Sequence, residues 1–330
     1  MTSRSNIKTR ILILSDTHGA SLFPCGDPTN AYREGLPKVD VVLHCGDLSR
    51  SGWLNEYENT LQMLAKLDAE LKLVIAGNHD ITLDPKYYQE QGSAIDGEYY
   101  KNDTSRRALQ LMKGRKAMQA GVTFLHEGTH TFCLQSGAKF NVYASPYYPA
   151  SGDGTFPYMA YRYEKNQDRF NPKDKATKYM EWIADNPIPD FPGVDIVMTH
   201  TPPLGHLDQT LNGGFLGCRS LQRAMARATP RLHCFGHVHE GRGAEMVTWS
   251  GLRPDYDDEK SVKQRRRINV PSGLGISEPS YIDASSEGDY PIAFGRDTLM
   301  VNAAIMDEEN NPVQPPWIVD LDLPLESSGN

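Results

Sequence analysis

Leu71-Lys72-Leu73-Val74-Ile75-Ala76-Gly77-Asn78-His79-Asp80 is the stretch whose reading decides the fold. An apolar, partly β-branched run meets a glycine and then three polar residues. That pattern predicts a buried strand ending in a tight turn, with Gly77 supplying the turn's backbone freedom. Asn78, His79 and Asp80 then stand at the carboxyl end of the strand, where open α/β sheets place their ligands. An amide oxygen can coordinate a hard cation, and an imidazole can bind a metal or move a proton.

Moving outward, the same design repeats. A strand at 10–15 ends in Asp16-Thr17-His18-Gly19, and one at 39–45 ends in Gly46-Asp47. Leu54, Tyr57, Leu61, Leu64, Leu67 and Leu71 recur at helical steps, which predicts a helix between the second and third strands. Strands alternating with a helix across short turns favour an α/β fold with a parallel sheet. Further on, the expectations are a helix over 105–118 and strands over 122–126, 131–135 and 140–145. A buried strand over 194–199 ends in His200-Thr201-Pro202-Pro203, and a helix follows over 218–228. The strand at 231–235 ends in Gly236-His237-Val238-His239, with 244–249 as its antiparallel partner. Residues 250–266 read as charged and exposed, and 299–306 and 317–323 as late strands. The expected organisation is a single domain over 1–330, with its core at about 10–250. It carries insertions at about 84–120 and 145–192, the latter around a helix over 175–184, and an extension at about 250–330.

The 330 residues carry a formal net charge of −8, which argues against a general nucleic-acid binder that neutralises backbone phosphates. A small phosphate substrate stays open if bound cations bring the positive charge. The five cysteines, Cys25, Cys45, Cys133, Cys218 and Cys234, are odd in number and form no CxxC pair. Free thiols in a reducing compartment follow, so a cytoplasmic location is expected. The apolar run at 11–14 is too short for a membrane span, and no membrane partner is expected. The oligomeric state stays open at this stage.

The strand-end turns supply Asp16, His18, Asp47, Asn78, His200, His237 and His239. Carboxylate, amide and imidazole donors without thiolate suit Mn, Fe or Zn rather than a cysteine-rich structural site. The number of donors exceeds one tetrahedral shell and fits two metals if a carboxylate bridges them. Two metals about 3.5–4 Å apart form a clamp for phosphoryl hydrolysis.

Asp-x-His, Gly-Asp, Gly-Asn-His-Asp, a strand-end His and Gly-His-x-His, in this order, resemble the calcineurin-like metallophosphoesterase superfamily. The runs Gly77 to Asp80, Thr199 to Asp208 and Phe235 to Gly241, with Ser145-Pro146 and Gly217-Cys218, are similar to its branch of metallophosphoesterase-domain-containing (MPPED) proteins. The likeness spans roughly residues 10–250. It implies a four-layer αββα sandwich of two mixed β-sheets flanked by helices. It also implies two divalent cations, Mn2+ being favoured and Fe or Zn also fitting. Asp16, His18 and His239 would hold one, Asn78, His200 and His237 the other, and Asp47 would bridge. His79 would be the acid near the leaving group, steadied by Asp80. Two cations would lower the pKa of a bridging water, so that hydroxide attacks phosphorus in line with the leaving oxygen.

The activity that the MPPED resemblance implies is hydrolysis of a small phosphodiester, of the cyclic-nucleotide kind. The alternative is a phosphomonoesterase, including a Ser/Thr protein phosphatase, but Leu48-Ser49-Arg50-Ser51-Gly52 lacks the Val-Asp-Arg-Gly run those enzymes carry. A non-catalytic scaffold on this fold predicts missing ligands, and none is missing. Asn78, His206, Asp208 and Arg50 are candidates for contact with substrate. For His206 and Asp208 the competing role is loop stabilisation, and for Arg50 it is plain surface. His44, His126, His130 and His233 read as structural, the 213–217 glycine run as a tight turn, Cys218 as packing, and Arg265-Arg266-Arg267 as a solvated face.

Overall fold

The computed structural model describes residues 5–25, 30–150, 159–252, 258–270, 278–307 and 309–326. Parts of the expected 145–192 insertion and 250–330 extension lie outside these residues. The chain begins with β1 (Asn6–Leu14), β2 (Val39–His44), helix α1 (Leu54–Ala65) and β3 (Ala69–Val74). Then come α2 (Pro85–Asp96), α3 (Thr104–Lys113), α4 (Arg115–Gln119) and β4 (Val122–Phe124). Next are β5 (Gly128–Cys133), β6 (Lys139–Ser145), β7 (Ile196–Thr199), α5 (Arg219–Ala228), β8 (Leu232–Phe235), β9 (Gly243–Trp249) and β10 (Val262–Ile268). Strands β11 (Ser280–Asp283), β12 (Asp297–Asn302) and β13 (Trp317–Pro324) follow.

A six-stranded sheet has the order β11-β13-β1-β2-β3-β4, and a seven-stranded sheet the order β10-β9-β12-β8-β7-β6-β5. Both are mixed. β1 to β4 run parallel while β13 pairs antiparallel with β1. In the other sheet β6, β7, β8 and β12 are parallel, flanked by antiparallel β5 and β9.

Alternation of side chains along each strand explains the layers. Ile11, Ile13, Val41, Leu43 and Leu73 point one way, and meet Phe140, Val142, Ile196, Met198, Leu232 and Leu299 of the other sheet. Leu12, Leu14, Val42 and Val74 point the other way, beneath Tyr57, Leu61 and Leu64 of α1 and Ala108 and Met112 of α3. On the far side, Tyr143, Val197, Phe235 and Met300 are covered by Leu221, Ala224 and Met225 of α5. The result is the expected four-layer sandwich, helix–sheet–sheet–helix. Strands buried on both faces read as unbroken apolar runs, which is why they were visible in the sequence. Phe140, 1% exposed between the sheets, tests this core. Phe140→Ala is expected to cost about 3–5 kcal/mol, read as a fall in the urea midpoint.

Several expectations are corrected. The helix over 105–118 is broken at Gly114, where a Cβ would lie 2.3 Å from the Gln110 carbonyl oxygen. The leucine pattern from 54 to 71 overshoots, because α1 stops at Ala65 and Leu71 belongs to β3. No helix forms over 175–184. There Glu181–Trp182 pairs with Gln167–Asp168, and Trp182 Nε1 donates to the Asn171 carbonyl at 3.1 Å, so tertiary pairing overrides the local pattern. Strand 244–249 does not pair with 231–235, because β12 lies between them. Residues 262–268 are an exposed edge strand carrying the arginine run; charge on an edge is a common guard against stray pairing. Helix α2 was missed, although Asp84-Pro85 announces it: the Asp84 carboxylate accepts the Tyr87 N–H and Pro85 sits in the first turn. All five cysteines are free, and among the described residues no helix is long and apolar enough to cross a membrane.

Candidate metal centre

Asp16 and His18 follow β1, Asp47 follows β2, and Asn78 to Asp80 follow β3. His200 follows β7, and His237 and His239 follow β8. The two sheets meet at these ends: Ser15 N–H donates to the Ala303 carbonyl at 2.9 Å, and His237 N–H reaches both Asp16 carboxylate oxygens at 3.1 Å. All seven candidate donors therefore converge. His239 Nε2 lies 3.5 Å from Asp16 Oδ1. Asp47 Oδ2 lies 3.5 Å from His200 Nε2 and 3.9 Å from His18 Nε2, between the two rings. Asn78 Oδ1 lies 2.7 Å from both His200 Nε2 and His237 Nδ1. Asp16 with His18 and His239, and Asp16 with Asp47 and His200, form two groups able to hold a metal ion.

The fit of these donors to a cation is clearest at His200. Its Nδ1 is 2.9 Å from the Cys45 carbonyl oxygen, which can only accept, so Nδ1 carries the proton. In the neutral ring Nε2 is then a bare lone pair, yet it faces the Asn78 oxygen and the Asp47 carboxylate. Only a cation, or a second proton, reconciles these three acceptors. Burial disfavours the charged ring, but neighbouring Asp47 outweighs it and raises the His200 pKa to about 9. His237, partly buried, is instead pushed down to about 3, by desolvation first and then by the neighbouring His200. Burial also works against charge on Asp47, yet His200 and His79 hold its carboxyl well below the ordinary range. His18 repeats the pattern: Nδ1 lies 3.1 Å from the Ser49 carbonyl oxygen and Nε2 is left for the centre. The residues fit one or two divalent cations with oxygen and imidazole ligands.

The backbone is strained here. Of the eight described non-glycine residues with positive φ, four lie here: Asp16, His18, Asp47 and His237, at 57°, 47°, 52° and 68°. Such conformations cost of order 1–3 kcal/mol each and gather at functional sites. The glycines of these motifs act by leaving space. A Cβ on Gly77 would lie 2.3 Å from Asp47 Oδ1, and one on Gly236 2.0 Å from Asp16 Oδ2. For Gly77 this replaces the expectation of turn freedom, since its φ is not in the left-handed region.

The hydrogen bonds of Asp80 do not go to the His79 ring. Asp80 is fully buried and accepts from Gly77 N–H (2.8 Å), Leu48 N–H (3.1 Å), Ser49 N–H (2.9 Å) and Ser49 Oγ (2.7 Å), stitching the turn after β2 to the turn after β3. His79 is oriented by Arg50 instead, whose carbonyl oxygen lies 2.8 Å from Nδ1. The Arg50 side chain itself is exposed. The His79 ring packs edge-on to His18 at 4.8 Å between centroids, and its backbone N–H donates to Asp47 Oδ1 at 2.9 Å. His206 and Asp208 are buried and spent internally. His206 Nδ1 pairs with Glu245, and the Asp208 carboxylate accepts from Gly205 and Gly217 N–H at 3.0 Å, so both hold the loop after β7. Cys218 is buried and caps α5 by accepting the Leu221 N–H. Tyr148, not singled out beforehand, has its ring 5.2 Å from that of His237. The signal was available, since Tyr148 stands three residues past the end of β6, on the same edge as the other turns.

Residues 9–241 match the model of a family described as calcineurin-like phosphoesterase. Over 250 residues the chain is 30% identical to a probable rhamnogalacturonate lyase C of Emericella nidulans, covering 75% of this chain and 19% of that protein. It is 31% identical over 237 residues to metallophosphoesterase domain-containing protein 1 of Homo sapiens, covering 71% and 62% of the two chains. A Caenorhabditis elegans UPF0046 protein is 29% identical over 213 residues, covering 63% and 48%. The chain thus spans less than two thirds of the length of each of these relatives.

Proposed function

Because the chain belongs to the calcineurin-like phosphoesterase family, we propose that it is a metal-dependent phosphoric ester hydrolase whose substrate is a small phosphodiester of the cyclic-nucleotide kind. The observation that carries the hydrolase reading is the gathering of Asp16, His18 and His239, and of Asp16, Asp47 and His200, into two groups able to hold a metal ion, where a cation would take the place of a second proton on His200 Nε2. Asp16, His18 and His239 would hold one ion and Asn78, His200 and His237 a second, with Asp47 shared. Two divalent cations there, Mn2+ being favoured, supply Lewis acidity toward phosphoryl oxygens and a water acidified for attack on phosphorus.

The chain's own part is to aim and to move a proton. The Ser49 and Cys45 carbonyls hold the Nδ1 protons of His18 and His200, so both rings present Nε2. The Arg50 carbonyl likewise holds the Nδ1 proton of His79, so that, as an imidazolium, the ring would deliver its Nε2 proton to the departing oxygen and be left neutral. Diester preference is supported by the similarity to the MPPED sequences, and Leu48-Ser49-Arg50-Ser51-Gly52, which lacks the Val-Asp-Arg-Gly run of the protein phosphatases, speaks against the alternative.

The test is turnover of bis-p-nitrophenyl phosphate and p-nitrophenyl phosphate by metal-stripped protein with Mn2+ restored. Faster, Mn2+-dependent turnover of the diester is expected; faster turnover of the monoester would move the assignment to a phosphatase. His79→Ala is expected to retain its metal while losing about 10²–10⁴-fold in kcat on esters of poor leaving groups. Loss should shrink as the leaving group becomes more acidic, and a uniform loss across the series would remove the acid role.

A further inference from the structure

Two histidines outside the centre share one arrangement. His44 lies on β2 and His233 on β8, both at 0% exposure. Alternation turns each away from the inter-sheet core, which holds their neighbours Leu43, Cys45, Leu232 and Cys234. His44 Nε2 lies 2.9 Å from Thr17 Oγ1, and His233 Nε2 lies 2.8 Å from Thr199 Oγ1. Thr17 separates Asp16 from His18, and Thr199 immediately precedes His200. Each sheet therefore sends one imidazole from a central strand to the threonine beside its own metal-facing residues. Thr199 Oγ1 donates to the Thr201 carbonyl at 2.7 Å, so toward His233 it accepts, and His233 is the Nε2–H tautomer.

Neither ring makes another hydrogen bond among the described residues. Nδ1 of both is buried without a hydrogen-bond partner among the described residues. A bare buried nitrogen is a cost that a phenyl ring in the same space would avoid. What the imidazole adds is a fixed hydroxyl. That matters most at Thr17, because the residues on either side of it hold strained φ of 57° and 47°. Backbone bonds from Asp16 N–H to Gly46 and from His18 N–H to Asp47 pin the flanks of the turn at 3.0 Å, and His44 pins its middle.

We propose that His44 and His233 are positioning residues for the metal centre, one for each sheet, acting through Thr17 and Thr199. The proposal rests on Asp16, His18 and His200 being ligands. Its test is Mn2+ titration calorimetry on the full chain carrying His44→Phe, His44→Gln, Thr17→Val and the His44→Phe/Thr17→Val pair, and the matching set at His233 and Thr199. Glutamine can place an amide where Nε2 stood. Each Phe and Val substitution is expected to weaken Mn2+ binding by about 10–100-fold. The double substitution should lose no more than either single one, and Gln should recover most of the loss. Urea midpoints of the metal-free proteins, measured alongside, should not follow that order. Where a Phe variant does not fold, the shape-conserving Thr→Val variant decides. Unchanged Mn2+ affinity in the Phe and Val variants, with Mn2+ bound by the parent, overturns the positioning role alone. A parent that takes up no Mn2+ overturns the ligand assignment, and this proposal with it.

Discussion

Asp47→Asn is expected to leave a folded protein that has lost most of its metal affinity and all but a trace of its turnover. The substitution is nearly isosteric and keeps an oxygen for the His79 N–H, which Asp47 Oδ1 accepts at 2.9 Å. It removes the negative charge from between the His18 and His200 rings. Residues that merely support a ligand cost about 10–100-fold in affinity, so a shared ligand should cost more than about 100-fold. The difference appears in stability by mass action. Mn2+ at 1,000 times the parent Kd should stabilise the parent by about 4.1 kcal/mol and a variant bound 100-fold more weakly by about 1.4 kcal/mol. Urea unfolding with and without Mn2+ reads both values. An Asp47→Asn protein that gains as much from Mn2+ as the parent would show that Asp47 is not a ligand.

Gly236→Ala is expected to be as damaging although it changes no candidate ligand. The new methyl group would fall 2.0 Å from Asp16 Oδ2 and 2.2 Å from Ser15 Oγ. Neither atom is the loose end of a flexible chain. Asp16 is fully buried and both its carboxylate oxygens are held by the His237 N–H. Either the turn after β8 lifts or the Asp16 carboxylate rotates out of the centre. Overpacking of this kind costs about 1–3 kcal/mol, and here it should also remove measurable Mn2+ binding. Gly214→Ala is the control, because its nearest neighbour would be Thr210 Oγ1 at 3.4 Å and its φ is not positive. It should lie within about 0.5 kcal/mol of the parent. Normal Mn2+ binding by Gly236→Ala would mean that the centre tolerates movement of Asp16.

The seven candidate ligands were legible because each stands directly after an apolar run, and a strand's end needs no long-range information to be seen. What those residues touch was less legible. Asp80 looked like a partner for the neighbouring His79 ring, but three of its four hydrogen bonds come from backbone N–H groups, of Leu48, Ser49 and Gly77, which carry no side-chain signature. Sheet order failed for a related reason at β9, where β12, from a later part of the chain, enters between it and β8. The edge strand β10 failed differently: Lys263, Arg265, Arg266 and Arg267 face solvent, so it has no apolar pattern. The 175–184 segment has the composition of a helix and is drawn instead into a short strand pair.

The positive-φ turns that carry Asp16, His18, Asp47 and His237 also set how this protein would respond to selection. Glycine at any of them would relieve local strain, and loss of a buried carboxylate would relieve crowded charge. If the chain were selected for heat resistance alone, with no demand on chemistry, the favoured changes would fall in the centre itself, and the protein would grow hardier as it grew inert. A library screened only for folding should therefore be seeded with these positions held constant.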